Sequence, residues 1–401
     1  MGTGAYNAVI FGLAAAQCLA FIVLLVRLAP GARRAPPIPP LPEGLHDTTV
    51  TVILPTLNEA ARLGPCLAGL ARQGPPLAEI LVVDSESTDG TRDIVRAAAE
   101  EDPRIRLLTD PPLPDGWIGK VWALQHGLGV AGGEWVLGVD ADIDPEPGLV
   151  AAAVRAARTT RLDVASFAPR FAGQTASERW LHPSLLVTLV YRCGAPTPSP
   201  SPARVMANGQ CFLSRRDVLS AHGGYAAARS SWADDVTLAR WLARHGARVG
   251  FLDGSRLYRV RSYRSVREMW REWGRSIDLS DASTPPVQWL DVLYLVLVQG
   301  APIPVLVSAG LAMFRETGLP IIGLLWLNVA LVLVRVLLLL GLAGAYERRG
   351  VAYWLSPLSD PLAVLRLVLS TVRRPRQWRG RQYQFARGGS ATAGTSAPRA
   401  S

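Results

Sequence analysis

The sequence is short of charge and almost empty of lysine. Only 18% of its 401 residues are charged, against about 25% in a typical soluble domain, and the mean hydropathy is positive at +0.20. This argues against an ordinary cytosolic enzyme and a disordered chain, and it places part of the protein in lipid. Cysteine is scarce: Cys18, Cys66, Cys193 and Cys211 lie far apart with no C-x-x-C. That fits neither a disulfide framework nor a zinc site and leaves reduced thiols. His126, His182, His222 and His245 show no metal spacing and read as structural or surface residues. Of the 42 basic residues one is lysine, Lys120, and the rest are arginine. One retained lysine in so biased a chain suggests a place that needs a compact ammonium, with chance as the alternative.

The net charge of +10 is unevenly spread. Residues 1–44 carry Arg27, Arg33 and Arg34 against Glu43, residues 373–401 carry seven arginines and no acid, and the body between is nearly neutral. The stretch WRGRQYQFAR (378–387) would suggest single-stranded nucleic acid in a soluble chain. Beside a membrane segment the same composition more simply suggests anionic lipid head groups. No nucleic-acid partner is expected.

Residues 6–26 are uncharged and about as long as the ~20 residues that cross a bilayer as a helix. No basic region precedes them and the apolar run is too long for a cleaved signal peptide, so residues 1–28 read as a transmembrane anchor. The arginines behind it put the following domain in the cytoplasm, at the plasma (inner) membrane. Residues 29–47, with the Pro-rich run APPIPPLPEG, read as a stiff spacer.

From 48 to 262 short β-branched runs alternate with helical segments, the mark of an α/β domain with a mainly parallel sheet. TVTVILP (49–55), EILVVD (79–84), RIRLLT (104–109), EWVLGVD (134–140) and LDVASF (162–167) are the strand candidates. Residues 263–287 form an amphipathic, Trp- and Arg-rich interfacial helix. Residues 288–346 hold two apolar blocks, 288–314 and 318–346, each long enough to span. Arg335, inside the second, is costly in lipid and needs a partner helix or a polar cavity. The stretch 351–371 is broken by Pro357, Asp360 and Pro361. A crossing there would carry the arginine-rich tail outside, so 347–387 reads as a re-entrant or interfacial segment with a basic tail. Residues 388–401 read as a disordered end.

Two of these strands end in acidic turns: Pro55-Thr56-Leu57-Asn58-Glu59, and Asp84-Ser85-Glu86-Ser87-Thr88-Asp89-Gly90-Thr91. Carboxyl ends of strands form the ligand crevice of an open α/β sheet, although Asp84 and Asp89 also suit plain turn capping. Asp140-Ala141-Asp142 follows the apolar run WVLGV. Alternating carboxylates at a strand end can hold Mg²⁺ or Mn²⁺, which in turn bridges a diphosphate. Asp234-Asp235 opens a helical run closing at Gly246, and by itself reads as a helix N-terminus. Lys120 begins a helical stretch after Pro114-Asp115-Gly116-Trp117, near phosphate or base. Asn208-Gly209-Gln210 precedes a strand-like segment and lines a donor or acceptor entrance.

These residues resemble the inverting glycosyltransferases of family 2, which have the GT-A fold. The resemblance covers roughly 48–280 and rests on ILPTLNE, VVDSESTDGT, the stretch from Gly119 to Glu134, and the D-x-D. It implies that Pro55, Thr56, Glu59, Asp84, Lys120, Asp140 and Gln210 bind a nucleotide-sugar. Asp140 and Asp142 then hold a divalent metal, and Asp235, the second member of an acidic pair, is the catalytic base. Asp234, Arg271, Trp273 and Arg275 would serve diphosphate or acceptor, although this chain reads Arg-Glu-Trp-Gly-Arg where lipid-modifying relatives carry Gln/Arg-x-x-Arg-Trp. An interfacial helix with no role in the site explains Arg271 to Arg275 equally well. The expected activity is transfer from a UDP-hexose to a hydroxyl of a membrane lipid or isoprenoid, as in carotenoid or hopanoid pathways. A polysaccharide synthase, a polyprenyl-phosphate sugar synthase and a non-catalytic scaffold are the alternatives.

Overall fold

The computed structural model describes residues 3–197, 201–261, 263, 265–313, 319–373, 377–378, 381–385 and 391–393. The chain divides into two units, one built from residues 35–171, 196–261 and 375–401, the other from residues 1–34, 172–195 and 262–374. The continuous domain expected over 48–262 is therefore interrupted: residues 172–195 leave it for the other unit.

The first unit is a mixed α/β body. Its strands are β1 (Val50–Thr56), β2 (Leu77–Asp84), β3 (Ile105–Thr109), β4 (Trp135–Val139), β5 (Ile143–Pro145), β6 (Val164–Ala168), β7 (Arg170–Phe171), β8 (Cys211–Arg215), β9 (Val249–Asp253) and β10 (Tyr258–Val260). Seven of them form one sheet in the order β3-β2-β1-β4-β8-β6-β9, parallel throughout except for β8. The other three form a small sheet in the order β5-β10-β7.

The strands read as unbroken apolar runs because both faces of the large sheet are covered. Val50, Val52 and Leu54 pack with Leu63, Leu67 and Leu70 of the helix Ala60–Ala71 and with Val150 and Val154 of the helix Leu149–Thr159. On the opposite face, Ile53, Leu81 and Val83 pack with Val121 and Leu124 of the helix Gly119–Val130 and with Leu238 and Leu242 of the helix Asp234–Arg244. The register brings Thr56 beside Asp84 and Asp84 beside Thr109, so these strands end level. Antiparallel β8 pairs Cys211 with Val139, which puts Gln210 opposite Asp140 at the same edge.

The Pro-rich run, expected as a stiff spacer, packs along the α/β body. Ile38, Leu41 and Leu45 pack on the first core face, and their amides donate to the carbonyls of Asp253 (2.9 Å), Gly148 (3.1 Å) and Pro75 (3.0 Å). Gly148 has φ +83°, and a Cβ there would lie 2.4 Å from the carbonyl carbon of Leu41 and 2.6 Å from the nitrogen of Pro42. Gly148→Ala should therefore lower stability by more than the about 1–2 kcal/mol that left-handed backbone costs a residue with a Cβ. A melting curve beside wild type, together with faster protease cleavage around residue 41, is the check.

In the second unit, two helices among the described residues are long and apolar enough to cross a membrane, over Ala8–Ala32 and Pro320–Ala345. The block 288–314, expected as one span, consists of the helix Pro285–Leu295, a π-turn at Val296–Gly300 and the helix Pro302–Met313, bent by 50°, which is the geometry of a broken span or a re-entrant loop. Pro302 and Pro304 lack the amides a continuous helix would need, and Ala301 donates to Val296 across the wider turn at 2.8 Å. Within 351–371 lie the helices Gly350–Trp354 and Asp360–Val372, each shorter than the ~20 residues of a span.

Several polar side chains among these helices pair with one another. Gln17 and Asn328, both fully buried, exchange two amide hydrogen bonds of 2.9 Å. Arg335 finds its partner in Asp360: Nε donates to Oδ2 at 2.8 Å and Nη2 to Oδ1 at 3.1 Å. Ser184, Ser356 and Gln299 complete the cluster. Of the end expected to be disordered, 388–401, only Ala391–Ala393 is described; it forms a strand paired antiparallel with residues 383–385, and the rest lies outside the described residues.

Candidate active site

The two acidic turns at the ends of β1 and β2 lock each other. Asn58 takes φ +55°; its amide donates to Ser87 Oγ (2.8 Å) and its Oδ1 accepts from the amide of Thr88 (2.9 Å). Asp89 accepts from the amides of Ala60 (3.0 Å) and Thr91 (3.1 Å), and Thr91 Oγ1 from that of Glu59 (2.9 Å). Asp84 is fully buried and its Oδ2 accepts the amide of Ser87 at 2.9 Å. Thr56 and Glu59 are buried beside it and Pro55 is half-buried. Asp89 thus acts within the turns, while Asp84, Thr56 and Glu59 form a shaped end to the sheet.

Across β4 lies the charged centre. Lys120, at the first turn of its helix, sets Nζ 2.8 Å from Asp140 Oδ1, 3.2 Å from Asp140 Oδ2 and 3.9 Å from Asp234 Oδ2. Asp235 Oδ2 accepts the amide of Gly209 at 2.7 Å and its Oδ1 that of Val236 at 2.7 Å. The Gly209 turn is itself fixed: Asn208 donates its amide to Ser166 Oγ (2.7 Å), accepts at Oδ1 from the amide of Gln210 (3.0 Å) and donates Nδ2 to Gln210 Oε1 (3.0 Å). Thus β4, β8 and two helix N-termini bring Lys120, Asp140, Gln210, Asp234 and Asp235 to one place. Leu124, Gly138, Phe212, Tyr225 and Leu238 line a small pocket behind the acidic pair.

Burial raises the carboxyls of Asp234 and Asp235, and Lys120 offsets this only in part. For Lys120, burial works against the charge, but Asp140, Asp234 and Asp235 hold the ammonium well above its ordinary range. Cys66, under Asp140, has its thiol pushed up by burial and then by Asp142 and Asp140; it donates to the Asp140 carbonyl at 3.6 Å and is a packing residue.

Asp140 and Asp142 offer hard carboxylate oxygens suited to Mg²⁺ or Mn²⁺. Among the described residues no group of three or more His, Cys, Asp or Glu is placed to hold a metal. Two carboxylates with diphosphate and water completing the shell is a common Mg²⁺ arrangement. Three carboxylates around one ammonium leave a local deficit of positive charge, which also suits a divalent ion.

Over residues 51–223 the sequence matches the model of the family described as Glycosyl transferase family 2. These residues are a family 2 glycosyltransferase domain. The chain is 35% identical over 121 residues to an undecaprenyl-phosphate mannosyltransferase of Micrococcus luteus, covering 29% of this chain and 47% of that one. It is 25% identical over 258 residues to a 4,4'-diaponeurosporenoate glycosyltransferase of Staphylococcus haemolyticus, covering 63% and 68%. The chain thus spans less than half the length of the first of these two relatives. A mannosyltransferase of Pyrobaculum calidifontis, solved with GDP-Man and Mn²⁺, superposes with a TM-score of 0.54 at 22% identity over 91% of this chain and 98% of that one. The fold of the glycosyltransferase domain is GT-A.

Arg271, Trp273 and Arg275 belong to the other unit, on the helix Val266–Ser276, capped by Ser265 accepting from the amide of Glu268. Trp273 is buried there with its ring edge-on to His182 (centroids 4.8 Å apart), Arg275 pairs with Glu272, and Arg271 is mostly exposed. The backbone of Gly209 adds a contact that its side-chain type does not announce. The Gly209 amide holds Asp235, and a Cβ on Gly209 would lie 3.0 Å from Lys120 Nζ. The Asn-Gly pair was the available signal, read only as a lining segment.

Proposed function

We propose that this protein is a membrane-bound, inverting glycosyltransferase that moves a sugar from a nucleotide-sugar donor, a UDP-hexose, to a hydroxyl of a membrane lipid or isoprenoid. Its catalytic unit lies on the cytoplasmic side of the inner membrane. The observation that carries this reading is Asp235. Its carboxylate is pinned by the Gly209 amide at 2.7 Å, at the ligand edge of the sheet and beside the one lysine and the D-x-D.

In this mechanism Asp235 takes the proton of the acceptor hydroxyl as that oxygen attacks the anomeric carbon. The bond from that carbon to the diphosphate oxygen breaks on the opposite face, and the nucleoside diphosphate leaves with the electron pair. The raised carboxyl of Asp235 suits proton uptake better than an ordinary carboxylate does. Asp84, Thr56, Glu59 and Pro55 receive the base and ribose, with Gln210 toward the sugar. Asp140 and Asp142 would hold a divalent ion, which when bound offsets the charge of the departing diphosphate. Before nucleotide binds, Lys120 lies against Asp140 and near Asp234. Asp234 shares the acidic edge, and Arg271, Trp273 and Arg275 are assigned to acceptor or interface contacts.

The test is donor turnover by the purified chain in lipid nanodiscs with Mn²⁺ or Mg²⁺, comparing UDP-hexoses with GDP-mannose. Lipid extracts from cells with and without the gene are compared by mass for one added hexose. Turnover that stops with a chelator and returns with metal supports the reading. No donor binding and no turnover with any nucleotide-sugar overturns it. The identity with the undecaprenyl-phosphate mannosyltransferase makes a polyprenyl phosphate the second acceptor to assay.

A further inference from the structure

We infer that Lys120 guards Asp140: its ammonium occupies the carboxylate while no nucleotide is present and releases it to a divalent ion when a diphosphate arrives. The inference rests on the proposed reading of this edge as a nucleotide-sugar site.

Lys120 Nζ covers both oxygens of Asp140, at 2.8 and 3.2 Å, and its side chain is only 18% exposed. A divalent cation bound to Asp140 would have to share these two oxygens with the ammonium. Two positive centres this close repel, so a metal ion on Asp140 and the ammonium disfavour each other. Asp234 Oδ2, 3.9 Å away, keeps Lys120 within the cluster but is too distant for a strong hydrogen bond. A diphosphate gives the ammonium a better anionic partner and frees Asp140 in the same step. Metal and nucleotide then bind with positive coupling, and the coupling is reciprocal.

The residue type fits the space. Gly209 approaches so closely that even a Cβ would lie 3.0 Å from Nζ. A compact ammonium on a flexible stem fits and can swing, whereas a planar guanidinium would need more room. In a chain whose other basic residues are all arginine, this position holds the one ammonium.

The test is Mn²⁺ titration of the full chain in detergent, read as free Mn²⁺ by electron paramagnetic resonance, alone and with UDP or GDP. Wild type is expected to bind Mn²⁺ weakly alone and more tightly with nucleotide, by about 5- to 150-fold, the usual span of coupling between two sites. Lys120→Met and Lys120→Gln should each bind Mn²⁺ alone more tightly than wild type and lose most of the nucleotide effect, even if transfer falls. If both variants fold, by their melting curves, and bind Mn²⁺ alone no more tightly than wild type, the guarding role is overturned. Asp140→Asn separates the failures. Its loss of Mn²⁺ binding with unchanged affinity in the lysine variants removes only the guard. Absence of both nucleotide and Mn²⁺ binding from wild type removes the proposed function with it.

Discussion

Asp235→Asn lowers the rate of sugar transfer by about 10²–10⁴-fold, the usual contribution of a positioned general base, and leaves the fold in place. The amide oxygen of Asn can still accept the Gly209 N–H, so the 208–210 turn keeps its anchor. What disappears is the lone pair that takes the acceptor's proton. The variant also removes one of three carboxylates crowded around Lys120, which relieves like-charge repulsion, so the melting temperature should not fall by more than a few degrees. Donor affinity, measured by titration without acceptor, should stay within a few-fold of wild type. Asp234→Asn makes the comparison: its Oδ2 lies 3.9 Å from Lys120, and its loss should affect donor affinity more than the chemical step. If Asp235→Asn transfers sugar at the wild-type rate, the base lies elsewhere.

Arg335→Met should be the most damaging single change away from the site. Arg335 and Asp360 have side chains 3% and 4% exposed and meet at 2.8 Å. Removing the cation leaves a buried carboxylate held by neutral donors, Gln299 among them at 3.4 Å, and breaking a buried pair on one side costs about 3–5 kcal/mol. Asp360→Asn should cost less, because the guanidinium keeps Ser184 and Ser356. The double variant Arg335→Met/Asp360→Leu should recover most of the loss, since an apolar replacement of both partners is often neutral or better. Thermal unfolding in detergent, followed by the monodisperse fraction, measures all three. A double variant as unstable as Arg335→Met would show that the pair contributes more than mutual neutralisation.

Much of the α/β unit was legible in the sequence. The β-branched runs marked β1, β2, β3, β4 and β6 to within a residue or two, because strands covered on both faces must be apolar throughout. The acids at their ends stood out because a carboxylate just after such a run has no structural reason to be there unless it caps or binds. What stayed hidden depends on tertiary partners. Nothing local says that the Pro-rich run lies along the sheet body, since its hydrogen bonds go to Gly148 and Asp253, more than a hundred residues away. Arg335 was visibly costly and Asp360 visibly a break, but their pairing is a matter of packing. The bend inside 288–314 was carried by Pro302 and Pro304, outweighed in the reading by the length of the apolar run. The Gly209 amide was unreadable for another reason: every residue carries an amide, and only the fold says which one meets a carboxylate.

The departure of residues 172–195 from the α/β unit and their return have a practical consequence. Asp140 and Asp235 lie on opposite sides of the helix Ala176–Cys193 in the chain, so every contiguous fragment that contains both contains that helix as well. No terminal truncation can trim the glycosyltransferase domain down to the α/β unit alone. Shedding the helix would take an internal deletion, in which the stub after Phe171 is joined to Pro196 by a designed linker.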